Sequence, residues 1–218
     1  MCGSAYGVAA DSVLAVSGHE RIMVRLSISG RAMGHSVWRM QGEGTNIAVL
    51  ADCHIHENGP QFPPELFQRL QGADLIVTLG DMGEKAGLDR LQEIAPVLGV
   101  RGQDDADDMR TRRDVLVLTE GRYRIGCVFD AVAAGLADSS DPFVASDDVV
   151  EVSRRLFGSR IDVLLHAGTH KADERRFGQS GSALNPGSAV MPAEGHSPSF
   201  LRLKVTDDGC FGQIIRIG

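Results

Sequence analysis

The sequence feature that most constrains the fold is an apolar run that ends in two polar side chains. Residues 47–51 read Ile-Ala-Val-Leu-Ala and are followed by Asp52, Cys53 and His54. Consecutive small and branched apolar residues predict a strand buried on both faces, as in a parallel sheet covered by helices. Ligands bind at the carboxyl edge of open α/β sheets, and a carboxylate beside a neutral imidazole suits Zn, Mn or Fe. This stretch therefore predicts a buried strand with a metal-capable end.

Four further apolar runs repeat the pattern. They cover residues 74–79, 96–100, 123–129 and 161–165. Each is followed by polar side chains that can bind a metal. These side chains are Asp81, Gln103 with Asp104 and Asp105, Asp130, and His166 with His170. Because parallel strands end at one edge of a sheet, we expect these side chains to gather there.

Helical spacing separates several of these runs. Residues 63–70 begin with a proline pair, 88–95 carry apolar residues on one face, and 149–157 repeat that spacing after a possible cap at Ser146-Asp147. Alternating strand and helix through residues 46–170 predicts an α/β fold.

The last third of the chain has a different pattern. Residues 183–190, 200–205 and 210–217 are strand-like, and the turn at 206–209 joins the last two as a hairpin. Parallel units followed by antiparallel strands predict two sheets packed together between helices.

Composition excludes several classes of protein. The chain has 218 residues, a 43% hydrophobic content and a net charge of −7, which predicts one core and argues against a nonspecific nucleic-acid binder. A small anionic substrate would need local positive charge, such as a bound metal. The four cysteines lack Cys-x-x-Cys spacing, which fits a reducing cytoplasm. We find neither a membrane-spanning stretch nor a signal peptide, and predict a cytoplasmic protein.

Residues 1–45 are predicted to be an N-terminal extension, and residues 46–218 the main domain. Residues 12–16 and 21–28 have the pattern of a possible β-hairpin, and the Gly-rich and Met-rich stretch 30–44 that of a linker. The extension has three open interpretations: an added strand pair, a partner-binding arm, or sequence upstream of the true start. His19 and His35 are candidate ligands or, more simply, solvated side chains.

Several motifs together resemble those of a known family. They are Asp-x-His at 52–54, Gly-Asp at 80–81, Val-Arg-Gly-Gln-x-Asp at 100–105, Gly-Thr-His at 168–170 and Asn-Pro-Gly-Ser at 185–188. In order and spacing they resemble the calcineurin-like metallophosphoesterase superfamily, and above all its small bacterial phosphodiesterase branch, which is also similar to the retromer scaffold subunit. The resemblance covers about residues 46–218. It implies a four-layer α/β/β/α sandwich of two mixed sheets flanked by helices.

The resemblance also implies a metal site and an activity. It makes Asp52, His54, Asp81 and His170 the ligands of a first divalent metal ion (Mn, Zn, Fe or Ni), with Asp81 bridging to a second. The activity implied is hydrolysis of a small phosphomonoester or phosphodiester by a metal-bound hydroxide.

The second metal site departs from the family pattern. Gln103 stands where the family has asparagine, Phe129 stands at about the place of its mid-chain histidine, and Gly168 replaces the first histidine of Gly-His-Thr-His. Other polar side chains either rebuild this site or are solvated strand ends. They are Asp104, Asp105, Asp130 and His166. Because family ligands of the second metal site are replaced, a second function stays open. It is that of a catalytically degenerate scaffold that binds a protein partner or a second copy of itself.

A few single residues carry alternative roles. Asp104 stands where many family members have a catalytic histidine, and it would serve as a general acid only with a raised pKa. Asn185 either supports the metal histidines or makes a turn, and the turn is favoured. Arg101, Lys171 and the pair 175–176 either attract an anionic substrate or are solvated at a strand end and in a loop.

Overall fold

The computed structural model describes residues 12–13, 26–32, 35–40, 44–137, 147–178 and 181–218, and side chains within them from residue 37 onward except at 147–149. The strands are β1 (Ser12–Val13), β2 (Leu26–Ala32), β3 (His35–Arg39), β4 (Thr45–Leu50), β5 (Leu75–Thr78), β6 (Val97–Gly99), β7 (Val115–Glu120), β8 (Tyr123–Val128), β9 (Val163–Leu165), β10 (Ala172–Phe177), β11 (Gly181–Pro186), β12 (Ser199–Val205) and β13 (Cys210–Arg216). The helices are α1 (Pro64–Leu70), α2 (Lys85–Gln92) and α3 (Asp147–Phe157). None of these helices is long and apolar enough to cross a membrane.

The described strands form two mixed sheets. The first has the order β13-β12-β4-β5-β6, in which β4, β5 and β6 run parallel and β12 runs antiparallel to β4. The second has the order β1-β2-β3-β7-β8-β9-β11-β10, in which β8, β9 and β11 run parallel. The predicted hairpin of β12 and β13 is present, with Val205 opposite Cys210.

The two sheets pack face to face between helices. Ile47 and Val49 of β4 belong to a core cluster shared with the second sheet, whereas Ala48 and Leu50 belong to the cluster that packs on α1 and α2. Phe157 of α3 belongs to a third cluster on the outer face of the second sheet. Residues of β4 that are buried on both faces explain the unbroken apolar run. The predicted four-layer α/β/β/α sandwich is confirmed.

Two local predictions need correction. Residues 172–177 form the edge strand β10, whereas a solvated loop was one interpretation of the arginines at 175–176. Residues 35–39, predicted to belong to a linker, form β3 and pair in parallel with β7. His19 and the side chain of His35 lie outside the described residues.

Candidate metal centre

Two neighbouring parallel strands place three of the four predicted metal ligands. Asp52 and His54 follow β4, and Asp81 follows β5. The two chains stay paired beyond the sheet, because Asp52 N donates to Gly80 O at 3.1 Å and His54 N donates to Asp81 O at 2.9 Å. The register of β4 and β5 therefore fixes where these three side chains begin.

The backbone at all four predicted ligands is left-handed. The φ angles are 51° at Asp52, 46° at His54, 51° at Asp81 and 58° at His170, and no other non-glycine residue in the described part of the chain has a positive φ. Such a conformation costs on the order of 1–3 kcal/mol at each residue and persists only where the surroundings enforce it, commonly at functional sites. The four residues with a strained backbone are therefore the same four that the sequence motifs predict as metal ligands.

Side-chain contacts with backbone amides and with other side chains bring the four residues together. The Asp52 carboxylate accepts hydrogen bonds from Gly168 N at 3.1 Å and from His170 N at 3.0 Å, which joins the first sheet to the loop after β9. His54 Nε2 lies 3.9 Å from Asp81 Oδ2, and the rings of His54 and His170 stack. The predicted ligands thus converge at one place between the two sheets.

Both imidazoles are oriented through Nδ1. His54 Nδ1 lies 2.7 Å from Asp104 Oδ2, and His170 Nδ1 lies 2.6 Å from Met191 O. A carbonyl or carboxylate oxygen selects the tautomer with hydrogen on Nδ1, which leaves a lone pair on Nε2, and metal-binding histidines commonly donate their other ring N–H to such an oxygen. Ligand atoms on a tetrahedral ion lie about 3.4 Å apart, so His54 Nε2 and Asp81 Oδ2, which are 3.9 Å apart, need to approach each other by about half an ångström to share an ion.

The site contains a buried carboxylate, which a nearby positive charge would stabilise. Asp52 is fully buried, and burial raises the pKa of its carboxyl, against the amide hydrogen bond from His170. A buried carboxylate is costly unless it is paired or binds a metal. Two carboxylates and two imidazoles with free Nε2 atoms fit Zn, Mn, Fe or Ni.

His56 is a member of the site that the sequence analysis missed. Asp104 Oδ2 accepts hydrogen bonds from His54 Nδ1 and from His56 Nε2, the latter at 2.8 Å. Of the described residues, these three side chains are the group whose possible ligand atoms all lie within 4.8 Å of one another, close enough to hold a metal ion at the rim. The spacing Asp52-x-His54-x-His56 was the available signal in the sequence.

Asp104 does not meet the condition for a general acid. The hydrogen bond from His54, followed by that from His56, lowers the pKa of its carboxyl. The raised pKa on which a general-acid role of Asp104 depends is therefore absent, and its carboxylate contacts His54 Nδ1, where it orients the ring.

Comparison with known proteins gives the family. Residues 46–208 match the model of the calcineurin-like phosphoesterase superfamily domain. The chain belongs to the calcineurin-like phosphoesterase superfamily. A probable metallophosphoesterase of Methanocaldococcus jannaschii is 27% identical over 162 residues, which cover 72% of this chain and 75% of that protein. The resemblance inferred from the motifs is confirmed.

Solved structures share the fold of this superfamily member. Vps29 of Chaetomium thermophilum has a TM-score of 0.58 at 21% identity, covering 79% of this chain and 96% of that one. Vps29 of Entamoeba histolytica complexed with zinc has a TM-score of 0.56 at 18% identity, covering 79% and 99%. At these identities, the likeness concerns the fold.

A phenylalanine ring lies beside two glycines, near the place where the superfamily pattern has ligands of a second metal ion. A Cβ atom on Gly80 would lie 2.6 Å from Phe129 Cδ2, and one on Gly168 would lie 3.6 Å from Phe129 Cζ. The side chain of Gln103 is exposed and has no hydrogen bond within the described residues. Phe129 thus occupies space beside Gly168, where the superfamily pattern calls for a histidine.

The side chains considered for rebuilding the second site have other contacts. Asp105 Oδ1 accepts a hydrogen bond from Met82 N at 2.6 Å and Oδ2 accepts one from Gly102 N at 2.7 Å. Asp130 Oδ1 accepts one from Val132 N at 2.8 Å. These carboxylates tie loops together. His166 is buried in the wall of a separate cavity.

Two polar side chains, Ser188 and Asn185, support the loops of the superfamily site. Ser188 Oγ donates to Asp52 O at 2.7 Å. Asn185 Oδ1 accepts from Gly187 N, while its Nδ2 donates to Thr169 Oγ1 at 3.1 Å. Asn185 therefore makes the favoured turn and also braces the residue before His170.

Proposed function

We propose that the protein is a metal-dependent phosphoesterase that cleaves a small phosphomonoester or phosphodiester at a single metal centre. Asp52, His54, Asp81 and His170 hold the divalent ion. The observation that carries the proposal is that these four residues, each with a left-handed backbone conformation, converge. Both imidazoles are anchored through Nδ1. The zinc complex of the Vps29 neighbour supports the ability of this fold to bind such an ion.

The chain preorganises this centre before any substrate binds. The divalent ion, when bound, supplies Lewis-acid polarisation of a phosphoryl oxygen. Asp52 is held in place by two backbone amides and Asp104 fixes the ring of His54, so little reorganisation accompanies ion binding. The side chains of His54 and Asp81 keep 23% and 12% of their surface exposed, which leaves the centre accessible to a substrate.

The test replaces the predicted bridging carboxylate. Asp81→Asn keeps the size of the side chain and removes its charge, so we expect loss of bound metal and a fall of more than about 100-fold in turnover of bis(4-nitrophenyl) phosphate. Asp208→Asn, in the exposed turn after β12, is the matched control and should keep both. Unchanged hydrolysis by Asp81→Asn would refute the proposal.

A second candidate function is a binding scaffold without catalysis. The position of Phe129 against Gly168, in place of second-site ligands, favours it, as does the fold shared with Vps29. In that case purified protein loaded with Mn, Zn, Ni or Fe would show no turnover and would retain a protein partner through purification. Turnover that disappears with Asp81→Asn excludes this candidate.

A further inference from the structure

A cavity of about 480 Å³ adjoins the metal centre on the far side of the loop that carries His170. This volume is in the range of small-molecule sites. Its walls come from the turn after β8, from β10 and β11, and from the loop after β9. His166, Thr169 and Lys171 line it, as do the small apolar side chains of Ala131 and Ala167.

One short loop separates the cavity from the metal centre. The amides of Gly168 and His170 donate to Asp52 on one side, whereas Thr169 and Lys171 line the cavity on the other. The segment that bears His196, another lining residue, is tied to the same loop, because Ala193 N donates to His170 O at 3.1 Å. A molecule in the cavity would therefore lie one residue away from a predicted metal ligand.

Among the described residues that line the cavity, the charged groups other than Lys171 have partners of their own. Asp173 pairs with Arg175, and Asp130 accepts two amide hydrogen bonds from its own turn. Within the described residues, the ammonium of Lys171 has neither a hydrogen bond nor an ion pair. An ammonium at the wall of a cavity, with the nearby acids engaged elsewhere, favours an anionic ligand.

The interior of the cavity suits an uncharged organic body. The alanine side chains that line the cavity leave space and carry no polar groups that need a partner, and His166 lies among them. Burial lowers the pKa of His166 to about 4, so its imidazole is neutral near pH 7 and adds no charge to the cavity.

We propose that this cavity binds the organic part of the phosphoester substrate, and that this part carries a second anionic group, a carboxylate or a phosphate, which Lys171 contacts. The inference rests on the proposed function, since it assigns the substrate class of the same centre. It adds Lys171 as a specificity-determining residue that is not a metal ligand.

The test compares three ligands by calorimetry on the full chain, with and without added Zn²⁺. Phenyl phosphate lacks a second anion, 4-carboxyphenyl phosphate carries a carboxylate, and 1,4-phenylene bisphosphate carries a phosphate. We expect at least one of the last two to bind roughly fivefold tighter than phenyl phosphate, which is the effect of one partly exposed ion pair. The ligand with the larger gain identifies the second anion.

Three variants assign the preference to the cavity. Lys171→Met should abolish it, while Lys204→Met, an exposed lysine on β12, should keep it. Val132→Trp enlarges an exposed lining side chain and should weaken binding of all three ligands without changing the metal content. Equal affinities in the wild type, or a preference that survives Lys171→Met, would overturn the inference.

The outcome is separable from that of the proposed function. A preference that depends on Lys171, found in a protein without phosphoesterase turnover, supports the cavity site and removes the proposed function. Turnover that depends on Asp81, found without any preference among the three ligands, supports the proposed function and removes the cavity site.

Discussion

The imidazole rings of His54 and His170 stack with their centroids 5.2 Å apart and their planes 6° apart. The two residues are 116 positions apart in the sequence and belong to loops of different sheets. Each ring is anchored at Nδ1, one by a carboxylate and the other by a backbone carbonyl. The stack therefore holds two Nε2 atoms in fixed positions, and its integrity depends on residues that are not themselves predicted ligands.

The first prediction concerns the carboxylate that orients His54. Asp104→Asn leaves an amide oxygen for the Nδ1 hydrogen but removes the charge that strengthens the hydrogen bond, so the affinity for Zn²⁺ should fall about 10- to 100-fold. Competition with a fluorescent chelator measures it. Asp107→Asn, an exposed residue of the same loop, is the control and should not change the affinity. Equal affinities of Asp104→Asn and the wild type would contradict the role assigned to Asp104.

The second prediction concerns a glycine that the sequence analysis did not single out. A Cβ atom on Gly102 would lie 2.1 Å from Asp81 N and 2.3 Å from Asp81 Oδ1, so Gly102→Ala must displace a predicted ligand. We expect a folded protein that no longer binds one equivalent of metal.

Gly72→Ala separates this effect from a loss of stability. Gly72 has a φ of +84° with no atom within 4 Å of its Cβ position, so alanine there adds about 1 kcal/mol of backbone strain far from the site. Metal content should be normal in Gly72→Ala and low in Gly102→Ala. Normal metal content in both variants would show that the close approach is tolerated.

The third prediction concerns pH and the buried His166. Its pKa is lowered from 6.5 to about 4 by burial, so the folded protein binds fewer protons than the unfolded chain between these values. Stability is therefore lost as the pH falls from about 6.5 towards 4, by about 2–3 kcal/mol in total. Urea unfolding at about pH 7.5 and pH 4.5 should show a smaller loss for His166→Gln than for the wild type.

The exposed His196 provides the control for that experiment. His196→Gln should lose as much stability on acidification as the wild type, because other groups that titrate in this range are common to both proteins. An identical loss in His166→Gln and His196→Gln would mean that His166 is not held neutral by its surroundings.

The sequence predicted the strands that are buried on both faces, because a run of apolar residues can be recognised without knowing which strand it pairs with. It failed at β10, which carries Asp173, Glu174, Arg175 and Arg176. An edge strand has one unpaired side and tolerates charges, so its sequence resembles a loop. The strand β3 was missed for a similar reason, because its place beside β7 depends on residues some 80 positions away.

The candidate site was predictable only in part. Asp52, His54, Asp81 and His170 belong to short motifs, and the structure brings them together. Gln103, by contrast, has an exposed side chain, and the roles of Asp104 and His56 depend on a contact between residues 48 positions apart. The position of Phe129 between two glycines also follows from packing of the two sheets, which spacing along the chain does not encode.

The metal content of the purified protein tests the central claim most directly. After loading with Mn, Zn, Fe or Ni and removal of free metal, mass spectrometry of the digested protein should find about one equivalent per chain, and His170→Ala should reduce it to nearly zero. No bound metal in the wild type, or one equivalent retained in His170→Ala, would contradict a metal centre built from Asp52, His54, Asp81 and His170.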